Sequence, residues 1–265
     1  MIEQSELALQ EGGSPPGVEG TSSHGSSASG HIRKGAPIGP AMPTFHEQGS
    51  PEWHAERLGK VTASRFKDIL TLPRSKKDRE AGVLSATARS YMMELVAEVL
   101  TGLPQGPKTN AAMQWGKDWE SAAADVYAET TGRELQEVGF TLLPGDSMIG
   151  GSPDRLIGAD GGLEIKCPFN PCIHLETVYS GVVPKEHIPQ IQGYMWETGR
   201  KWWDFESYDP RIEDVGIASF IRRVERDDEY IADLSQKVTA FRDKFIETLC
   251  VIKSRGKMRV TKKGD

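Results

Sequence analysis

Two carboxylates and a lysine fall close together in Ser152-Pro153-Asp154 and Leu163-Glu164-Ile165-Lys166. They are the residue types that metal-assisted hydrolysis of a phosphodiester needs. That reaction must stabilise charge building on phosphoryl oxygens and make water nucleophilic near neutral pH, and a carboxylate-held divalent ion does both. Mg²⁺ prefers oxygen ligands at ~2.1 Å in an octahedron and keeps several waters, so one or two protein carboxylates suffice while a substrate phosphate completes the shell. Asp154 and Glu164 are the candidate ligands, with the Ile165 carbonyl as a third. Lys166 cannot ligate while protonated; its candidate roles are to orient or deprotonate the attacking water and to stabilise the pentavalent phosphorus as a mobile point charge. An E-x-K alternation also occurs on ordinary solvated strands, so the motif by itself leaves a purely structural hairpin open.

The elements that must position these groups follow from local patterning. Gly158-Ala159-Asp160-Gly161-Gly162 lies between two apolar stretches, which predicts a β-hairpin with arms Asp154–Ile157 and Leu163–Lys166. Side chains alternate along a strand, so Glu164 and Lys166 share one side while Leu163 and Ile165 face the core from the other. The span from Gln114 to Gly132 reads as a helix with Trp115, Trp119, Ala122 and Val126 on one apolar stripe and Gly132 as its stop. Glu120 sits beside that stripe and supplies a third acidic position if the helix faces the hairpin.

Two further segments carry candidate polar groups. His187 to Trp196 predicts a helix with Pro189 in its first turn and Gly199 at its end, placing Gln190 and Tyr194 one turn apart on one face. In Trp53 to Ser64, one helix is expected to end at Gly59 and another to start with Thr62 as its N-cap. Amide groups at that start, a Ser hydroxyl and the nearby Arg57 would make an anion site.

Taken in order, R-L-G-x-V-T-A-S at 57 to 64, W-G-K-x-W-E at 115 to 120, S-P-D at 152 to 154, L-E-I-K-C-P-F at 163 to 169, Q-I-Q at 190 to 192 and Y-D-P-R at 208 to 211 resemble the bacteriophage lambda exonuclease family of phage recombination nucleases, within the PD-(D/E)xK superfamily. The resemblance runs from about Trp53 to Arg226. It implies an α/β (α+β) fold with a restriction-endonuclease-like core, a central mixed β-sheet flanked by helices. It assigns Glu120, Asp154, Glu164 and the Ile165 carbonyl to the metal site, Lys166 to the catalytic lysine and Gln190 to the active-site amide. Arg57, Ser64 and Ser152 fall on positions that form a pocket for a terminal 5′-phosphate, Met113 on an apolar wedge that separates the last base pairs, and Arg74 on a basic loop near the duplex groove. Met113 departs from the family's leucine, though it is also apolar and adaptable. A Mg²⁺-dependent 5′ to 3′ double-strand DNA exonuclease is implied, with Mn²⁺ as a substitute ion. Such an enzyme leaves a 3′ overhang, works with a single-strand annealing recombinase, assembles as a homotrimer and acts in the cytoplasm of a bacterial host as a phage or prophage product.

Composition bounds the rest. A chain of 265 residues accommodates one catalytic domain over 46–252, with extensions at 1–45 and 253–265. The first extension is rich in Gly, Ser and Pro and poor in aromatics, which predicts a disordered or tag-like segment. It lacks the basic start and apolar run of a signal peptide, and no segment reaches ~18 consecutive apolar residues, so no membrane partner is expected. The net charge of −6 argues at first against nucleic acid, but Arg57, Lys60, Arg65 and Lys67, then Arg74, Lys76, Lys77 and Arg79, and the tail from Lys253 to Lys263 cluster the cations. Three cysteines exclude a disulfide framework, and Cys167, Cys172 and His174 fall short of the four ligands a zinc or iron-sulfur centre requires. Lys201–Tyr208 and Val215–Val224 predict strands. Asp227 caps a helix whose stripe from Tyr230 to Ile252 packs in the core or against another subunit. A related endonuclease with the same metal site and a DNA-binding module without catalysis remain as rival readings.

Overall fold

In the computed structural model, the hairpin forms as the turn chemistry predicts. β4 (Arg155–Ile157) and β5 (Gly161–Lys166) pair antiparallel with Arg155 opposite Leu163, and Gly158 takes the positive φ the turn requires. The structure describes residues 46–106 and 110–261, with side chains to 256. They fall within one unit, Met42–Asp265. The Gly/Ser/Pro-rich extension therefore lies outside the described residues.

Elements run in the order α1 (Pro51–Arg57), β1 (Val61–Thr62), α2 (Phe66–Leu70), α3 (Lys76–Glu80), α4 (Ala86–Thr101), α5 (Ala111–Thr131), β2 (Thr141–Leu143), β3 (Asp146–Gly151), β4, β5, α6 (Pro171–Ser180), α7 (Ile188–Thr198), β6 (Trp202–Tyr208), β7 (Ser219–Glu225) and α8 (Asp228–Thr261). The expected α/β fold is present, with mixed sheets flanked by helices, but the strands divide into two sheets rather than one. One has the order β1-β3-β2 and the other β4-β5-β6-β7, each combining a parallel and an antiparallel pairing. The break falls at Ser152-Pro153-Asp154, between β3 and β4. A proline has no N–H to give a ladder, so pairing stops there and the polar side chains on either side are released from it.

β5 is an inner strand, and both of its faces are covered. Partners in register share a face, so Glu164 lies beside Phe205 and Leu163 beside Asp204. On one face, Trp203 and Phe205 join Ile191, Met195, Leu234, Phe241 and Phe245 in the larger core cluster; on the other, Leu163 and Ile165 pack with Ala123, Ala124 and Tyr127 of α5. The α8 stripe thus serves the core. Glu164 was expected on a polar side and is instead fully buried.

Local signals set most helix ends. Asn110 caps α5 by accepting from the Met113 amide at 2.9 Å, and Gly132 and Gly199 end α5 and α7 in the left-handed conformation. Asp227 caps α8, accepting from the Tyr230 amide at 2.9 Å. Two expectations need correction. Thr62 stands at the N-cap of a 3₁₀ turn, Ala63–Arg65, that leads into α2, but its side chain makes no capping bond; it ends β1, pairs with Gly150, and its amide donates to Tyr91 Oη at 3.0 Å, which removes that amide from any anion site. The strand expected from Val215 starts at Ser219, because Pro210–Val215 winds into 3₁₀ turns that stop at Gly216. The helix itself runs past the Ile252 end of its stripe to Thr261, since Lys, Arg and Met propagate a helix after its apolar stripe has ended.

Candidate active site

Asp154 lies just past the sheet break. One of its carboxylate oxygens accepts the Ile165 amide at 2.7 Å. In an extended strand the N–H and C=O of one residue leave on the same edge, so the Ile165 carbonyl also faces Asp154. Glu164, one residue back on β5, forms an ion pair with Lys166 through Oε1, while its Oε2 is buried with no hydrogen-bond partner. Glu120 comes from α5, with Oε1 3.4 Å from Arg155 Nη1. The structure therefore brings together Glu120, Asp154, Glu164, Ile165 and Lys166 as the sequence predicts.

The carboxylates raise one another's proton affinity. Burial, followed by the Asp154 charge, pushes Glu164 up to about 8 and Glu120 up to about 7; burial also raises Asp154. Burial opposes the charge on Lys166, yet Glu164 and Asp154 outweigh it, and the ammonium lies above the ordinary lysine range. With all three carboxyls ionised against Lys166 and Arg155 the site would carry an excess of buried negative charge, which is why they hold their protons and what a bound cation would offset.

Among the described residues, no three His, Cys, Asp or Glu groups form a ready metal cage. The partners explain this: Asp154 is engaged with the Ile165 amide, Glu164 with Lys166, and Glu120 leans to Arg155. The donor set still fits a hard divalent ion. Glu164 Oε2 is an orphaned buried acceptor, the neighbouring donors are all oxygens, and Mg²⁺ takes few protein ligands.

A second group of residues surrounds Ser152. Its hydroxyl accepts from Trp53 Nε1 at 2.9 Å and from Arg57 Nη1 at 3.2 Å, and Arg57 stacks over Trp53 at 4.2 Å. Burial holds the Arg57 guanidinium below its ordinary value, the mark of a cation short of water. Arg57, Ser64 and Met113 line a cavity of about 540 Å³. Ser64 bonds Thr62 Oγ1 at 3.4 Å. Arg74 stands apart, exposed next to α3 and not among the residues lining that cavity.

Gln190 is tied to the Ser152 group through Tyr194. Its amide donates to Tyr194 Oη at 3.0 Å, and Tyr194 donates to the Ser152 carbonyl at 2.9 Å. Sequence reasoning missed Trp53, Arg155 and the anchoring role of Tyr194. Arg155 had an available signal, as the residue next to Asp154. Cys167 is buried, Cys172 exposed, and His174 is held between Ser207 Oγ and the Ile217 carbonyl at 2.8 Å each, so these three do not converge on a metal.

Comparison with known proteins gives a consistent result. A family model for the YqaJ-like viral recombinase domain matches residues 52–201. The crystal structure of an alkaline exonuclease (LHK-Exo) from Laribacter hongkongensis is 39% identical, with 79% of this chain and 99% of that chain covered and a TM-score of 0.70. The same protein in complex with dAMP aligns with a TM-score of 0.71. A phage-related exonuclease from Haemophilus somnus 129PT, 22% identical over 73% of this chain and 96% of that one, shares the fold at a TM-score of 0.55. The uncharacterised protein ExoD of Escherichia coli K12 is 31% identical over 70 residues, 26% of this chain and 78% of that protein. With the family model spanning more than half of its length, the chain belongs to the YqaJ-like viral recombinase family, in keeping with the phage exonuclease motifs it carries.

Proposed function

We propose that the chain is a Mg²⁺-dependent double-strand DNA exonuclease that degrades one strand 5′ to 3′ and leaves a 3′ overhang for recombination by strand annealing. The observation that carries this reading is the junction at Pro153: the Arg57–Ser152–Trp53 group lies on one side of it and the Asp154–Glu164–Lys166 group on the other. Asp154, Glu164 and the Ile165 carbonyl, with Glu120, would hold the ion. When bound, it supplies Lewis-acid stabilisation of phosphoryl charge and a more acidic water.

The remaining work falls to the chain's own groups. Lys166, kept protonated by its carboxylate neighbours, presents a positive charge to the phosphate under attack and donates hydrogen bonds to the water beside it. Arg57, with Ser64 and Ser152, receives the terminal phosphate, whose charge would return the solvation the guanidinium has lost. Holding that end fixes the next phosphodiester against the carboxylates, a gain in orientation rather than in chemistry. Gln190 and Tyr194 keep the Ser152 backbone in place. Met113, which lines the cavity and is 40% exposed, can wedge against the terminal base pair, and Arg74 adds charge along the duplex. The dAMP bound to the alkaline exonuclease relative belongs to the class of product this reaction would release. Duplex DNA ends with a 5′-phosphate are the substrate, Mn²⁺ would substitute for Mg²⁺, an annealing recombinase would take up the overhang, and a homotrimer would surround the duplex in the cytoplasm of a phage-bearing bacterium.

Digestion of linear duplex labelled at either end, with and without 5′-phosphate, next to a closed circle tests the reading. Loss of the 5′ label as mononucleotide from phosphorylated ends, with the circle intact, is the expected result. Cutting of the circle would favour the endonuclease, and binding without hydrolysis in Mg²⁺ a non-catalytic module.

A further inference from the structure

Arg211 lies outside the carboxylate cluster and holds three parts of the fold together. Its guanidinium makes a two-pronged pair with the buried Asp209, Nε to Oδ1 at 2.8 Å and Nη2 to Oδ2 at 2.7 Å. The pairing with Arg211 keeps the Asp209 carboxyl below the usual range. The same fork donates to the Phe169 carbonyl at 3.2 Å and the Pro168 carbonyl at 3.3 Å, in the loop through which the chain leaves Lys166. Its flat face lies over Trp115 at 4.5 Å. Trp115 in turn meets Phe169 edge-on at 6.0 Å and lies 5.6 Å from Trp119, the residue before Glu120.

We propose that Arg211 is a positioning residue that fixes the exit loop of β5 to α5 and thereby sets the spacing of Glu120 from Asp154 and Glu164. The proposal rests on the reading of those carboxylates as a metal site. Asp154 and Glu164 need no such help, because the Ile165 amide and the β4–β5 ladder already tie them together. Among the described residues α5 makes no backbone hydrogen bond to that hairpin, and Glu120 meets it through the 3.4 Å side-chain pair with Arg155, so its distance depends on how α5 packs. A lysine at 211 would keep the charge but lose both the fork and the planar stacking surface.

The test uses the full chain and the variants Arg211→Ala and Arg211→Lys. The melting temperature is followed as Mg²⁺ or Mn²⁺ is titrated without DNA, and kcat and KM are measured on linear duplex. The expected result is a melting temperature without metal close to wild type in Arg211→Lys, but a half-saturating metal concentration ~10-fold higher in both variants. kcat should fall in parallel, with KM for duplex within about twofold, since base and groove contacts are untouched. If Arg211→Ala does not fold, Arg211→Lys carries the comparison. A wild-type metal midpoint retained in Arg211→Lys overturns the clamp alone. A wild-type chain with no metal-dependent shift overturns the metal-site reading and this proposal with it.

Discussion

Trp53 Nε1 donates to Ser152 Oγ at 2.9 Å across 99 residues of sequence. The indole also supports the Arg57 guanidinium at 4.2 Å, so one side chain holds both Ser152 and Arg57. Arg57→Ala should abolish the preference for 5′-phosphorylated over 5′-hydroxyl ends. Trp53→Phe keeps a ring under Arg57 but loses one hydrogen bond of ~1 kcal/mol, which should reduce that preference by about fivefold. Rates on the two ends of otherwise identical duplexes provide the measurement, and an unchanged ratio in Arg57→Ala would place the pocket elsewhere.

Asp154→Ala should eliminate hydrolysis, and Lys166→Ala should lower kcat by ~10²–10⁴. Neither removes a group from the cavity around Arg57, so duplex affinity measured in Ca²⁺ should stay within a few-fold of wild type. Single-turnover assays next to a gel-shift titration separate the two effects. Turnover at the wild-type rate in both variants would refute the carboxylate-site assignment.

Glu197 gives a pH signature of stability independent of catalysis. It is buried, accepts from Thr141 Oγ1 at 2.5 Å, and burial pushes its pKa up to about 8 from an ordinary 4.5. Between those values the folded chain binds more protons than the unfolded chain, so the contribution of this group to stability falls as pH rises through the window and levels off above 8. Glu197→Gln should remove that slope. Its melting temperature should exceed wild type by a few degrees at pH 9 and match it near pH 4.5. Equal differences at the two pH values would show that Glu197 is not protonated in the fold.

Gly193 faces Phe66 across the packing of α7 on α2. A Cβ built there would lie 2.6 Å from the Phe66 ring, and Phe66 is itself buried. Gly193→Ala should therefore cost ~1–3 kcal/mol in urea unfolding. Because α7 also carries Gln190 and Tyr194, the same substitution should lower activity on phosphorylated ends. A wild-type urea midpoint would mean that the two elements separate freely.

The hairpin, α5 and α7 were legible because their signals are local: a glycine-rich turn, a tryptophan stripe, a proline in a first turn, a glycine at each stop. Asp154, Glu164 and Lys166 were legible for the same reason, being set by strand alternation over a few residues. The division into two sheets was not, since it depends on Val61 pairing with Ile149, far along the chain. Nor was the burial of Glu164 on both flanks, which depends on β6 arriving beside β5. Arg155 was missed because its partners Glu120 and Glu137 come from other segments. Tyr194 was placed on the correct face, but its bond to the Ser152 carbonyl is a tertiary contact that no periodicity encodes.

Pro153 separates Ser152, with its Arg57 and Trp53 donors, from the carboxylates by a single ring-locked residue, and its carbonyl is anchored by Gln48 Nε2 at 3.0 Å. Two residues of backbone extend at most ~7 Å, and a fixed φ removes most of the slack. Under the proposed function, Ser152 and Asp154 would therefore act as the jaws of a calliper whose opening the main chain sets. An enzyme built on this frame would read off product length by backbone geometry, and inserting even one residue at that joint would change the size of the piece it releases.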